Sequence, residues 1–305
     1  MDLKQACSKY NKIIVWGLKN ERGNTFRYIY EGFYQTLQKK GISTVWVDDT
    51  KESNWLVRPN DLIIVAGLAG NNLVFRDDVY YCTHNFDLTD KQYDPKKLLK
   101  LQVYMDFAEL SDVKLEEVTF YDTRSQTLFQ PWGTNLLESE FYPPQTDTFK
   151  LPIVFWVGSI WDNELHQGNL SEIAELKQCL LNHNIRFMPL SARVPEPIMI
   201  PSIQHSVISP AIAGKWQVFC NYLPCRMFKN ISYGVLGVSN VPKFRDLFKG
   251  CNVEGDTIDE LVSNALSLSK EEQRELIIAQ QEIVKKHTYE HKLKWIMEAL
   301  EYVRG

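Results

Sequence analysis

The sequence predicts an α/β protein of two domains, each with a mostly parallel sheet flanked by helices. Three observations carry this reading. Short apolar runs alternate with amphipathic stretches in the first half, the alternation lapses over 131–150, and it then restarts. Strand–helix alternation of this kind favours parallel strands covered on their faces. The 305 residues suffice for two ordinary domains. The predicted domains cover 1–140 and 150–286, with a terminal helix over 287–305.

The elements follow in order. "KIIVWG" (12–17) is an apolar strand that ends in glycine, and "RYIYEGFYQTLQKKG" (27–41) has helical spacing and a C-terminal glycine cap. "STVWVDD" (43–49), "DLIIVAG" (61–67), "VYYCTHN" (79–85) and "EVTFYD" (117–122) are strands, with charged helical material over 94–110. "QPWGTNLLESEFYPPQTDTFK" is rich in Pro, Thr and aromatic residues without a sustained period, as a crossover linker would be. Beyond it, "LPIVFWVGS" (151–159) is a strand running into a small-residue turn. "NLSEIAELKQCLLNHN" (169–184) is an amphipathic helix with Ser171 as candidate N-cap. "IRFMPL" (185–190), "HSVISPAIAG" (205–214) and "VLGVSN" (235–240) are strands, and "CRMFKNISYG" (225–234) is a helix closed by Gly234. The spans 257–269 and 270–303 are helical.

Composition narrows the function. A formal net charge of −4 argues against a dedicated nucleic-acid binder, while leaving room for a local phosphate-binding patch. The start, "MDLKQACSKYNKIIVWGLKN", has no run of signal-peptide character. The most apolar stretch, "LPIVFWVGSIW", is too short to span a bilayer, which leaves only peripheral membrane contact open. The six cysteines are scattered and form no zinc-type pairs, so a reducing cytoplasmic setting is expected.

Several motifs compete for the chemistry. "HTYEH" (287–291) has the H-x-x-E-H form of an inverted zinc peptidase, with His287 and His291 as ligands and Glu290 as base. That site needs a third ligand on another element. The chain ends at Gly305, and Glu298 lies on the same predicted helix, about 10 Å along its axis. The zinc reading therefore fails. The loop "GLKNERGNTF" (17–26) between strand and helix fits neither G-x-G-x-x-G nor the P-loop. Its Gly17, Arg22, Gly23 and Asn24 make either a plain turn or a ligand loop. Gly158 and Ser159 hold the matching place in the second domain, where backbone N–H groups would meet a phosphate. Arg226 and Lys229 share a helix face just after Pro224, and two cations at a helix start are unfavourable without an anion. A diphosphate would resolve that conflict, and a solvated basic face is the plainer alternative. His84, ending a first-domain strand, suits general-base work or a structural role.

At these residues the chain resembles a known group. "PCRMFKNISYGVLGVSNVPKFRDLF", then "TIDELVSNAL", then "KKHTYEHKLKWIMEAL" is similar to the carboxyl-terminal domain of GT-B glycosyltransferases, in the group-1 and CgeB-like branch. "FWVGSIW" resembles the opening of that domain, so the likeness covers about 151–302. The resemblance implies two Rossmann-like domains facing a central cleft. It also implies acceptor specificity in the first domain and a nucleotide-sugar donor held by the second. The terminal helix would pass back toward the first domain as part of the hinge.

By position, Arg226 would contact the donor diphosphate, Gly158 and Ser159 would approach it through backbone, and Lys215 would lie on the donor side. Lys229 stands where the family places a ribose-binding glutamate, so it would help neutralise the diphosphate. Asn230, Ser232 and Tyr233 are then candidates for ribose or sugar hydroxyls. No Asp-x-Asp occurs, and "DD" at 48–49 and 77–78 are adjacent pairs, so no essential metal or other cofactor is expected. An inverting course would require a base, with His84 leading and Asp106 and Glu21 as alternatives. The expected function is sugar transfer from a nucleoside-diphosphate sugar to a glycan or glycoconjugate hydroxyl. A sugar-nucleotide epimerase and a catalytically inactive binding module are the alternatives.

Overall fold

The chain enters through a short helix, α1 (Leu3–Cys7), before the apolar run of β1 (Ile13–Trp16). The structure, a computed structural model, describes residues 2–21, 25–67, 69–84, 97–190 and 194–304. It divides into two units, Met1–Gln130 with Tyr289–Gly305, and Pro131–Thr288. No described helix is long and apolar enough to cross a membrane.

In the first unit, α2 (Thr25–Lys39) connects β1 to β2 (Thr44–Val47), followed by β3 (Leu62–Val65) and β4 (Tyr80–His84). These strands are parallel, in the order β2-β1-β3-β4. β1 and β3 are buried along their whole length, which explains why their sequences are continuous apolar runs rather than alternating ones. The strand ends are tied by two adjacent carboxylates. Asp49 accepts from the backbone N–H groups of Gly70 and Asn71 at 2.9 Å and of Asn72 at 3.1 Å, and from the Trp16 indole at 2.8 Å. Asp48 accepts from Asn20 N at 2.9 Å and from its side-chain amide.

One expectation fails beyond β4. The region expected to be helical over 94–110 contains β5 (Leu98–Gln102) and a single 3-10 turn at Ala108–Leu110; residues 85–96 lie outside the described residues. "LLKLQ" favours helix by propensity, but β5 fills a slot between two strands and buries Leu98, Leu99 and Leu101. Next come β6 (Val113–Glu116), β7 (Thr119–Asp122) and β8 (Thr127–Phe129). β8 pairs parallel with β5, whereas β7 runs antiparallel to both β8 and β6. The sheet is thus parallel with an antiparallel edge. Only the 117–122 strand of that edge was legible.

The second unit opens with 131–150, the segment expected as a linker. It belongs here because its groups bond here: Thr134 Oγ1 lies 2.8 Å from Ser232 Oγ, and Gln145 N donates to Gly234 O at 2.8 Å. After it come β9 (Ile153–Val157), α3 (Leu170–Asn182), β10 (Arg186–Leu190), α4 (Glu196–His205), β11 (Ser209–Pro210), α5 (Lys215–Phe219), α6 (Cys225–Ser232) and β12 (Gly237–Val238). α7 (Pro242–Leu247), α8 (Ile258–Ser267) and α9 (Lys270–Val284) complete the unit. β9 pairs parallel with β10, and β11 with β12. Val154, Trp156, Leu176, Leu180, Val262 and Ile277 join strands and helices in one core.

Four details differ from the sequence reading. Helix α4 went unread because Pro197 and Pro201 interrupt its pattern, and the strands expected over 205–214 and 235–240 shrink to two residues each. α3 starts at Leu170, so Ser171 lies inside its first turn, and Asn169 before it bonds the loop instead of capping the helix. The helix expected to run through 270–303 breaks. α9 ends at Val284, a 3-10 turn spans Lys285–His287, Thr288 is extended, and α10 (Tyr289–Arg304) starts in the first unit. His287 and His291 therefore sit on different elements. His287 stacks on Phe228 of α6 at 5.0 Å and its carbonyl accepts from Thr134 N at 3.0 Å.

α9 also supplies a surrogate strand edge. The buried Gln280 amide accepts from Gly237 N at 2.9 Å and donates to Gly237 O at 3.2 Å and Cys251 O at 2.8 Å. Replacing it with an apolar residue strands three buried backbone groups, and each such loss costs about 1–3 kcal/mol before relaxation. Gln280→Leu is expected to lower stability by about 2–4 kcal/mol in total, read from the midpoint of urea unfolding.

Candidate functional site

In the second unit Leu151 bridges Ser206 in parallel and Val207 N donates to Ile153 O at 3.1 Å, so β9 runs with the chain leading into β11. The carboxyl ends of β9, β11 and β12 therefore share one direction, the end at which open α/β sheets place their ligands. Three loops leave from there. Gly158 follows β9, Ala211–Gly214 follows β11, and Ser239–Asn240 follows β12. Asn240 holds the second loop by accepting from Ala213 N at 2.9 Å and donating to Ala213 O at 2.8 Å. The first loop is braced by Asn169, whose side chain accepts from Trp161 N at 3.2 Å and donates to Ser159 O at 3.3 Å. Gly214 packs its Cα against the Gly168 carbonyl so closely that a side chain would overlap it.

Arg226, in the first turn of α6, reaches into this end. Its guanidinium carbon lies 3.6 Å from the ring centroid of Trp156 in β9, and its Nε donates to Val157 O at 2.9 Å. Gly158 has φ +138°, and a Cβ there would overlap the Arg226 Nη2. Glycine is thus needed twice over, for its backbone angle and for the space. The guanidinium is half-buried, and burial pulls its pKa down to about 10, so it remains a cation at neutral pH. Among the described residues no carboxylate pairs with it, and one of its five N–H donors has a partner. A half-buried guanidinium without a paired carboxylate favours a neighbouring anion on electrostatic grounds.

The chain's architecture matches known structures. An α-glucosyltransferase in complex with UDP superposes with a TM-score of 0.57 at 10% identity, covering 91% of this chain and 96% of that one. The N-terminal domain of Candida albicans trehalose-6-phosphate phosphatase gives 0.55 at 10% identity, over 95% and 96%. A UDP-forming α,α-trehalose-phosphate synthase from Burkholderia xenovorans gives 0.52 at 9% identity, over 97% and 100%. The fold is that of the GT-B glycosyltransferases, with two Rossmann-like domains. No protein-family model matches the chain, and no curated protein matches it.

Set against that fold, the expected donor residues separate into two groups. Gly158 and Arg226 meet directly, although they are distant in sequence. Ser159 is half-buried beside them, and Lys215 is exposed at the start of α5, its N–H donating to the buried Glu172 at 3.3 Å. The others turn inward. Asn230 donates to Ser209 O at 2.8 Å, Ser232 Oγ bonds Thr134 and the Lys229 carbonyl at 2.8 Å, and Tyr233 OH donates to Asn135 at 3.1 Å. These three are buried and hold α6 to its surroundings, so a ligand hydroxyl would have to displace internal bonds to reach them. Lys229 is buried as well, at 6% exposure. Trp156 lies within the strand "FWVGSIW", where a tryptophan reads as core, so the sequence alone does not mark it as a neighbour of Arg226.

In the first unit His84 ends β4, as expected, but its imidazole is enclosed. It is 1% exposed, edge-on to Phe26 at 5.2 Å, and its Nδ1 lies where a Gly67 side chain would go. Burial lowers its pKa to about 3, so the ring is neutral. Asp106 and Glu21 are exposed. Gly17 packs on Ala69 and its carbonyl accepts from Trp46 Nε1 at 2.9 Å. Arg22, Gly23 and Asn24 lie outside the described residues. Among the described residues no three His, Cys, Asp or Glu side chains cluster in a metal-holding group.

Two tests follow from this geometry. Gly158→Ala is expected to push Arg226 off Trp156 and to cost about 1–3 kcal/mol from the backbone angle and the overlap, seen by chemical denaturation and a crystal structure of the variant. For His84, the unfolded chain takes up a proton below pH 6.5 while the folded ring does so only near pH 3. Its contribution to stability is complete above pH 6.5 and declines as the pH falls toward 3. His84→Leu should flatten that acid limb in urea midpoints measured at pH 7, 5 and 4.

Proposed function

We propose that this chain is a glycosyltransferase that moves a sugar from a nucleoside-diphosphate sugar, with UDP as the leading nucleotide, to a hydroxyl of a glycan or glycoconjugate. The observation that carries the reading is the uncompensated Arg226 guanidinium, set on Trp156 against Gly158 at the carboxyl end of β9. The GT-B fold and the UDP complex of the α-glucosyltransferase of like fold support the choice of ligand. The resemblance of 151–302 to the group-1 and CgeB-like branch gives the same assignment.

In this reading the second unit holds the donor and the first unit the acceptor. Breaking the glycosidic bond of the donor leaves negative charge on the departing diphosphate. A preorganised guanidinium at that place stabilises the charge as it develops, because its direction is already fixed and little reorganisation remains. Lys229 lies one turn further along α6 and is buried. This cationic arrangement does the work that a metal ion does in other transferases, and the enzyme is proposed to need none. An inverting course requires a base on the acceptor, for which the exposed carboxylates of Asp106 and Glu21 are better suited than the enclosed His84.

The test is a thermal-shift screen against nucleoside diphosphates and nucleotide sugars, followed by titration calorimetry. A ligand bound only by the folded state at 100 times its Kd adds about 2.7 kcal/mol of apparent stability. UDP or a UDP-sugar is expected to raise the Tm, and Arg226→Ala to weaken binding by about 10- to 100-fold without lowering the Tm of the free protein. Unchanged affinity in Arg226→Ala would overturn the assignment. Donor turnover without an acceptor would instead indicate an epimerase or hydrolase.

A further inference from the structure

We propose that Trp156 is a positioning residue of the anion site: its buried indole face carries the Arg226 guanidinium and fixes the direction of the donors that meet the phosphate groups. The inference rests on the donor-site reading of Arg226 and adds a residue to it. Four observations converge. The guanidinium carbon is 3.6 Å from the Trp156 ring centroid, close-packed contact rather than a passing approach. Val157, the next residue of the same strand, takes the Arg226 Nε at 2.9 Å. Gly158, the next again, leaves space for Nη2. Three consecutive residues of one strand end thus constrain the face, the inner edge and one outer corner of a single planar cation.

The fourth observation concerns what the indole gives up. Trp156 is 1% exposed, and its Nε1 N–H has no hydrogen-bond partner among the described residues. A buried unsatisfied donor is unfavourable, and phenylalanine would avoid it while still filling much of the core volume. The larger π-face of tryptophan gives the stronger cation–π attraction, which offsets that cost. Phe187 of β10 packs against the indole at 6.1 Å and holds it in place. Arg226 is therefore fixed before any anion arrives. Loss of the platform leaves the charge present but free to swing, which weakens anion binding by way of Arg226 alone.

That dependence gives a test by double-mutant cycle. Trp156→Leu, Trp156→Phe, Arg226→Ala and the Trp156→Leu/Arg226→Ala pair are titrated with UDP and with inorganic pyrophosphate at one salt concentration. Trp156→Leu is expected to weaken both probes about tenfold in the wild-type background and to have no effect in the Arg226→Ala background, with Trp156→Phe within about threefold of wild type. Equal weakening with and without Arg226, or none in either, would overturn the proposal. Pyrophosphate binding without UDP binding would refute the nucleotide reading while leaving the cycle intact. Binding of neither probe by the wild type would refute both. A second measurement avoids the Leu variant, in case it does not fold. In protein labelled with 5-fluorotryptophan, the Trp156 resonance, assigned by its loss in Trp156→Phe, should shift on adding pyrophosphate in the wild type and not in Arg226→Ala. A Trp156 resonance unmoved in the wild type would also overturn the proposal.

Discussion

A half-buried guanidinium that no carboxylate among the described residues neutralises is the constraint on which the end of β9 depends. Removing a charge from water is costly unless it is paired, and a helix start adds positive potential of its own. Among the described residues Arg226 has partial compensation, from one carbonyl and one aromatic face. Both leave its net charge unchanged. A protein that needed only stability could place an acid nearby or use an uncharged side chain. Keeping the cation bare, and constraining it on three sides, makes sense when an external anion completes the site.

The first unit shows the opposite solution to a similar local problem. There too a loop after a parallel strand presents consecutive backbone N–H groups, at Gly70, Asn71 and Asn72. The chain fills that nest with its own carboxylate, Asp49, which also accepts from the Trp16 indole. The outcome is a tie between strand ends rather than a ligand site. His84 follows the same logic: an imidazole at a strand end is enclosed by aromatic rings and stays neutral. Asp49 and His84 at this edge are thus satisfied or buried by the chain itself.

The same distinction explains what could be read in the sequence. Strands buried on both faces were legible because their composition is uniformly apolar, as in Ile13–Trp16 and Leu62–Val65. β5 was not, since its leucines and lysine spell helix until a neighbouring strand claims them. α4 was hidden by its prolines, and the break at Lys285–Thr288 by helix-forming residues on either side. The zinc-like pattern at 287–291 dissolves at that break: His287 packs behind α6, and His291 belongs to another helix in the other unit. Gly158 and Arg226 were each singled out from separate motifs, but their direct contact was not read from the sequence. Their common support, Trp156, was not read either, because nothing in a sequence distinguishes a tryptophan that fills a core from one that also faces a cation.

Helix α6 shows how finely the two roles divide. Its first turn carries Arg226 into the open end of the sheet, while its later residues, Asn230, Ser232 and the following Tyr233, are bonded inward to Ser209, Thr134 and Asn135. Phe228 packs against both Phe244 and His287. Spacing alone marks Arg226 and Lys229 as neighbours on one face and treats every polar side chain after them as available. Burial changes that assignment, since a helix anchored by its own polar residues can hold one half-buried cation still. The inward bonds from 230 to 233 fix the axis along which α6 delivers Arg226 to Trp156. A site that acts by electrostatic preorganisation depends on that rigidity as much as on the charge itself.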